Sequence, residues 1–131
     1  MKTTEDLKKA IEENDYNKTE EILADMDKNN SSEVLTTALI NFVADNPQLE
    51  FGSPGPVIHF LERKGHYESE LIHATYKKPN WYLLWMLNRC INGSSEYRDE
   101  MLETLKYTAA RTDIDHSIAE DARDFYEFQL D

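Results

Sequence analysis

The run Pro79-Asn80-Trp81-Tyr82-Leu83-Leu84-Trp85-Met86-Leu87-Asn88-Arg89-Cys90-Ile91-Asn92 is the most apolar stretch of an otherwise polar, acidic chain, and it leaves few folds open. Asn80, directly after a proline, is placed to cap the first backbone N–H groups of a helix, and Asn92-Gly93 supplies a stop at the far end. On that helix Trp81, Leu84, Trp85 and Asn88 share one side while Leu83, Leu87, Cys90 and Ile91 occupy others, so no broad polar face exists before Asn88 and Arg89. A helix of this kind has to sit between other helices. It is too short to span a bilayer, which takes about 20 apolar residues.

The remaining segments supply those neighbours. Thr3 or Thr4 followed by Glu5 and Asp6 starts a helix whose stripe is Leu7, Ala10 and Ile11. Asn17 with Glu20 three residues on has the spacing of a capping box for a second helix carrying Ile22, Leu23 and Met26, and the two form a hairpin. Ser31 and Ser32 cap a third, with Val34, Leu35, Ala38, Leu39, Phe42 and Val43 as a wide apolar face. Residues 46–56 hold three prolines and two glycines and form the main irregular connection. Beyond it Pro56 opens a helix that Gly65 stops, residues 66–78 form another, and the apolar run follows. Tyr97, Met101, Leu102, Leu105, Thr108 and Ala109 stripe the next helix. Asp113 or Asp115 caps the last, with Ile118, Ala119, Ala122, Phe125 and Tyr126 inward. Strand signals are absent. The expected fold is all-α, about eight short helices in antiparallel hairpins, arranged as a HEAT-like α-solenoid or a compact irregular bundle.

A chain of 131 residues, 40% of them hydrophobic, suits one domain with one core, expected over residues 1–131. Its start turns acidic before any apolar run, so neither signal peptide nor anchor is expected. Cys90 is the single cysteine and cannot form an internal disulfide, which fits a reducing cytoplasm. The net charge of −12 opposes binding to nucleic acid. That charge is uneven. Residues 1–50 carry 12 acids against 5 bases, residues 51–92 carry 3 against 5, and residues 93–131 carry 11 against 4, so acidic flanks enclose a near-neutral centre. Such fields speed association with basic partners.

Enzymatic signatures are missing: there is no phosphate-binding glycine loop, zinc-protease pair or nucleophile elbow. His59, Glu62, His66 and His73 are the best metal candidates, but Gly65 interrupts their helix, and a metal site needs lone pairs converging on one point. No cofactor, metal or catalytic residue is expected. What stands out is a set of polar and aromatic residues around the apolar centre: Glu62, Tyr67, Trp81, Tyr82, Trp85, Asn88 and Arg89. A partly buried arginine needs a carboxylate, with Glu62 and Glu70 the candidates, and the set reads either as an internal strut or as binding anchors.

The strings Gly55-Pro56-Val57-Ile58-His59-Phe60-Leu61-Glu62, Tyr67-x-x-x-Leu71, Lys78-Pro79-Asn80-Trp81 and Trp85-Met86-Leu87-Asn88-Arg89-x-Ile91-Asn92 resemble a small all-α family of bacterial immunity proteins. Those proteins neutralise the toxic tip of polymorphic or contact-dependent inhibition toxins. The resemblance spans roughly residues 52–130, and Ile118-Ala119-Glu120-Asp121-Ala122-Arg123 is similar to the second helix of a HEAT-type repeat. It implies a cytoplasmic, non-enzymatic protein, monomer or homodimer, whose partner is a cognate basic toxin, often a nuclease. Trp81, Tyr82, Arg89, Glu62 and Tyr67 are then the contact candidates, and Glu96, Asp99, Glu100, Glu103, Glu120, Asp121 and Asp124 the steering charges. The alternative is a helical-repeat adaptor joining other cellular proteins.

Overall fold

A computed structural model describes all of residues 1–131 and is helical throughout, without a strand. Its elements are α1 (Thr4–Glu12), α2 (Tyr16–Asn29), α3 (Ser32–Asp45), α4 (Gly55–Lys64), α5 (Glu68–Lys77), α6 (Trp81–Asn92), α7 (Arg98–Ala109) and α8 (His116–Leu130). None is long and apolar enough to cross a membrane. The chain divides into two compact units, residues 1–42 with 48–67, and residues 43–47 with 68–131.

In the first unit α1 packs on α2 and α2 on α4. The α1 stripe of Leu7, Ala10 and Ile11 is buried as its spacing requires, and the Asp6 carboxylate accepts the Thr3 N–H at 2.8 Å to close the first turn. Asn14 takes φ 56°, which turns the chain into α2. The cap there is Asp15, accepting from the Lys18 N–H at 3.0 Å, and not Asn17, which lies inside the helix. On α3 the inward residues are Leu35, Leu39, Ile40 and Phe42, whereas Val34, directly before Leu35 in the same turn, points off that face and is 58% exposed. The irregular segment after α3 contributes to the core too. Leu49 and Phe51 are buried, and Phe51 meets Phe42 edge to face at 5.8 Å. Gly52 has φ 106°, and a Cβ there would lie 2.6 Å from the Gly55 Cα, so no side chain fits this turn. Gly65 ends α4 as expected, and Lys64 pairs with Asp27 of α2 at 2.9 Å.

In the second unit α6 packs against α5, α7 and α8. Its buried residues are Leu83, Leu84, Met86, Leu87 and Ile91, each fully buried leucine contributing about 1.5–3 kcal/mol. The helix sits between others, as expected, but they leave one side of it open. Trp81 is exposed, and Tyr82, Trp85, Asn88, Arg89 and Cys90 are half-buried, so α6 has an aliphatic inner face and an aromatic outer one. Asn80 joins this helix to the end of α3. Only 4% exposed, it accepts the Leu83 N–H at 3.0 Å and donates to the carbonyls of Val43 at 2.9 Å and Ala44 at 3.3 Å. One side chain therefore caps the start of one helix and satisfies the last turn of another. Buried threonines are satisfied locally: the Thr75, Thr104 and Thr108 hydroxyls donate one turn back, to the carbonyls of Leu71, Glu100 and Thr104. Asp115 stands at the start of α8, although its side chain makes no capping bond.

Candidate functional site

The cap at Asn80 makes Trp81 the first residue of α6 and so sets where its ring projects. Trp85 follows one turn later, and at that spacing side chains on a helix meet. The two indoles stack with centroids 5.3 Å apart and planes 17° apart. Tyr82 meets Trp81 edge to face at 5.2 Å, and from α8 Phe125 reaches the Trp81 ring at 6.2 Å. One further turn along, the Arg89 guanidinium lies 5.0 Å from the centre of the Trp85 ring, a cation–π contact. Trp81, Trp85 and Arg89 thus form a ladder along the outer side of α6. Its most open rung is Trp81, 42% exposed.

The helix α8 holds this ladder from the side. Gln129, one turn after Phe125, donates to Asn88 Oδ1 at 2.6 Å and to Asn92 Oδ1 at 2.9 Å. One turn before Phe125 stands Asp121, half-buried. Desolvation pushes its carboxyl above the usual carboxylate range, and the neighbouring charges of Asp124 and Glu120 push it further. Asp121 makes no ion pair of its own, while Glu120 is held by His116 at 2.8 Å and Asp124 is exposed.

Among the residues expected to bind a partner, the second unit brings Trp81, Tyr82 and Arg89 together and sets Glu120, Asp121 and Asp124 on the helix that borders them. Asp99, Glu100 and Glu103 are exposed on α7 and Glu96 in the turn before it. Glu62 and Tyr67 belong to the first unit, Glu62 half-buried on α4 and Tyr67, at 7% exposure, part of the core. His59, His66 and His73 are all exposed, and no group of three or more His, Cys, Asp and Glu residues could hold a metal ion.

Phe125 was expected to point inward, and its part in the cluster went unanticipated. Its position four residues after Asp121 and four before Gln129 is the signal that marks the α8 face turned to α6. A second aromatic group was also missed. Tyr76 of α5 and Tyr107 of α7 pack at 5.1 Å, and Arg111 lies 5.6 Å from the Tyr107 ring centre. Its guanidinium forks onto Asp113 at 2.9 and 2.8 Å and donates to the Tyr76 carbonyl at 2.8 Å. These bonds hold the Asp113 carboxyl below the usual carboxylate range and raise Arg111. Comparison of the chain with protein-family models, curated proteins and solved structures finds no match.

Proposed function

We propose that this protein is an antitoxin-like immunity protein, which captures the toxic domain of a cognate bacterial toxin and occludes it. The observation that carries the reading is the aromatic ladder: two stacked tryptophans, a tyrosine and a phenylalanine gathered on an open face, with Trp81 at the centre of their contacts. Tryptophan, tyrosine and arginine are the side chains that most often anchor protein interfaces, because they bury large rigid areas with few torsions to immobilise. A ladder already stacked is ordered before the partner arrives, which lowers the entropy cost of docking. The α8 acids beside it, and the net charge of −12, favour a basic partner and repel nucleic acid, so the chain suits capture of a nuclease through its phosphate-binding surface.

Co-expression with the toxin encoded beside its gene tests this. Wild-type protein is expected to restore growth, and Trp81→Ala to lose protection while keeping its helical circular dichroism. Complex formation should weaken as salt rises, since screening shortens the reach of the acidic surface. Absence of protection by the folded wild-type protein defeats the toxin reading and favours the helical adaptor.

A further inference from the structure

A groove of about 370 Å³ opens beside α5 and α7, lined by Ile72, Tyr76, Asp99, Glu100 and Glu103. Ile72 and Tyr76 are one turn apart on α5 and make an apolar wall; the three carboxylates line the α7 side. The helix dipole accounts for Asp99 and Glu100, which lie in the first turn of α7. Glu103 lies a turn further on, where that benefit has faded, and it stands one turn from both other acids, a spacing at which like charges repel. None of the three carboxylates makes an ion pair or accepts a side-chain hydrogen bond, and Lys106, three residues after Glu103, is not paired with it. An apolar and aromatic wall facing uncompensated carboxylates suits a side chain that is hydrocarbon along its stem, cationic at its head and flat enough to lie on a ring.

The same corner of the molecule already shows the arrangement in use. Arg111 rests against Tyr107, forks onto a carboxylate and donates to the carbonyl of Tyr76. Tyr76 packs on Tyr107, is 37% exposed, and lines the groove.

We propose that this groove receives an arginine side chain of a partner protein, its methylenes against Ile72, its guanidinium over Tyr76 and forked onto the α7 carboxylates. This rests on the protein-capture reading for the bearer of the arginine and adds a second contact outside the tryptophan ladder. Lysine fits less well, because its ammonium is strongly hydrated and has no plane to lay on the tyrosine.

The test is a titration of the isotope-labelled full chain at low salt with three blocked peptides, acetyl-Gly-Arg-Gly-amide and its lysine and citrulline counterparts, followed in amide and tyrosine-ring spectra. The arginine peptide is expected to saturate shifts at Ile72, Tyr76, Asp99, Glu100 and Glu103 in the millimolar range, the lysine peptide to bind measurably more weakly, and the citrulline peptide to leave the spectrum unchanged. The double variant E100Q/E103Q should abolish the shifts, while D124N/E127Q and Trp81→Ala preserve them. Equal shifts from arginine and lysine spread over every acidic helix, or no saturation by the arginine peptide, would overturn the proposal. A silent titration beside intact protection in co-expressing cells removes the groove and leaves toxin capture standing; lost protection with an intact titration does the reverse.

Discussion

Asn80→Ala removes three interactions at once, and their sizes can be worked separately. Loss of the cap to the Leu83 N–H costs about 1 kcal/mol. The bond to the Val43 carbonyl, 2.9 Å long and buried, is worth about another 1 kcal/mol. That to Ala44, at 3.3 Å, counts for less as a bond, yet its loss strips a buried carbonyl of the only hydrogen-bond donor that side chains supply to it. Together the change should cost ~2–4 kcal/mol, a fall in melting midpoint of roughly 8–16 °C for a chain of this length. Trp81 and Trp85 follow immediately and report the unfolding of this region by fluorescence in urea. Asn80→Asp separates the roles. It keeps an oxygen for the Leu83 N–H, but turns a second oxygen toward two carbonyls in place of the amide donor, so it should be at least as damaging as alanine at neutral pH. Asn80→Ser, which can cap and cannot reach back, should fall between wild type and alanine. An alanine variant within ~0.5 kcal/mol of wild type, or an aspartate variant as stable as wild type, would refute the assignment of Asn80 as the tie between α3 and α6.

Two further changes are read against pH. Asp121 has a raised folded pKa, so the native state holds its proton more tightly than the unfolded chain; the resulting stability is full below the unfolded value near 3.9 and is lost as pH rises through the folded one. Asp121→Asn should therefore be more stable than wild type at pH 7, by less than about 1 kcal/mol, with the gap closing near pH 3 and shrinking in salt, as thermal melts would show. Asp113 is shifted the other way by its fork with Arg111, so that contribution is present above the unfolded carboxylate value and is lost as pH falls through the folded one. Arg111→Lys, which cannot fork or reach the Tyr76 carbonyl as well, should melt below wild type at pH 7, with the gap narrowing in acid to what the carbonyl bond contributes; a gap of the same size at both pH values would contradict this.

The helical character of the chain was legible because its signals are local. The stripe of Leu7, Ala10 and Ile11, Pro56 near the head of α4, Gly65 at its end, and Asn80 at the cap of α6 each depend on neighbours within a turn or so. Misreadings came where two local signals competed. Asp15 and Asn17 both offer a capping oxygen, and Asp15 won by accepting from Lys18 across the turn that Asn14 makes possible with its positive φ. Val34 looked like part of the α3 face because it is apolar, but its turn is packed through the neighbouring Leu35, which leaves Val34 on the outer side of the helix. The groove gave no such signal: Tyr76 and Glu103 lie on different helices, and their meeting depends on how α5 and α7 pack.

The tryptophan ladder lies between those cases, and a count of capacity explains why. Five aliphatic or thioether side chains, Leu83, Leu84, Met86, Leu87 and Ile91, fill the inner face of the twelve-residue α6. Once that face is full, Trp81, Tyr82 and Trp85 cannot join it without overpacking, which would cost about 1–3 kcal/mol for each group forced in. Excess apolar content in one short helix therefore drives the rings outward, where they shelter by stacking on each other and on Phe125. Asp121 shows the same tension from the polar side, since partial burial beside two other acids disfavours its charged form. On the proposed reading these rings and this carboxylate, lying together on one face, are contact surface for a partner, and the sign of the charge there asks that it be positive.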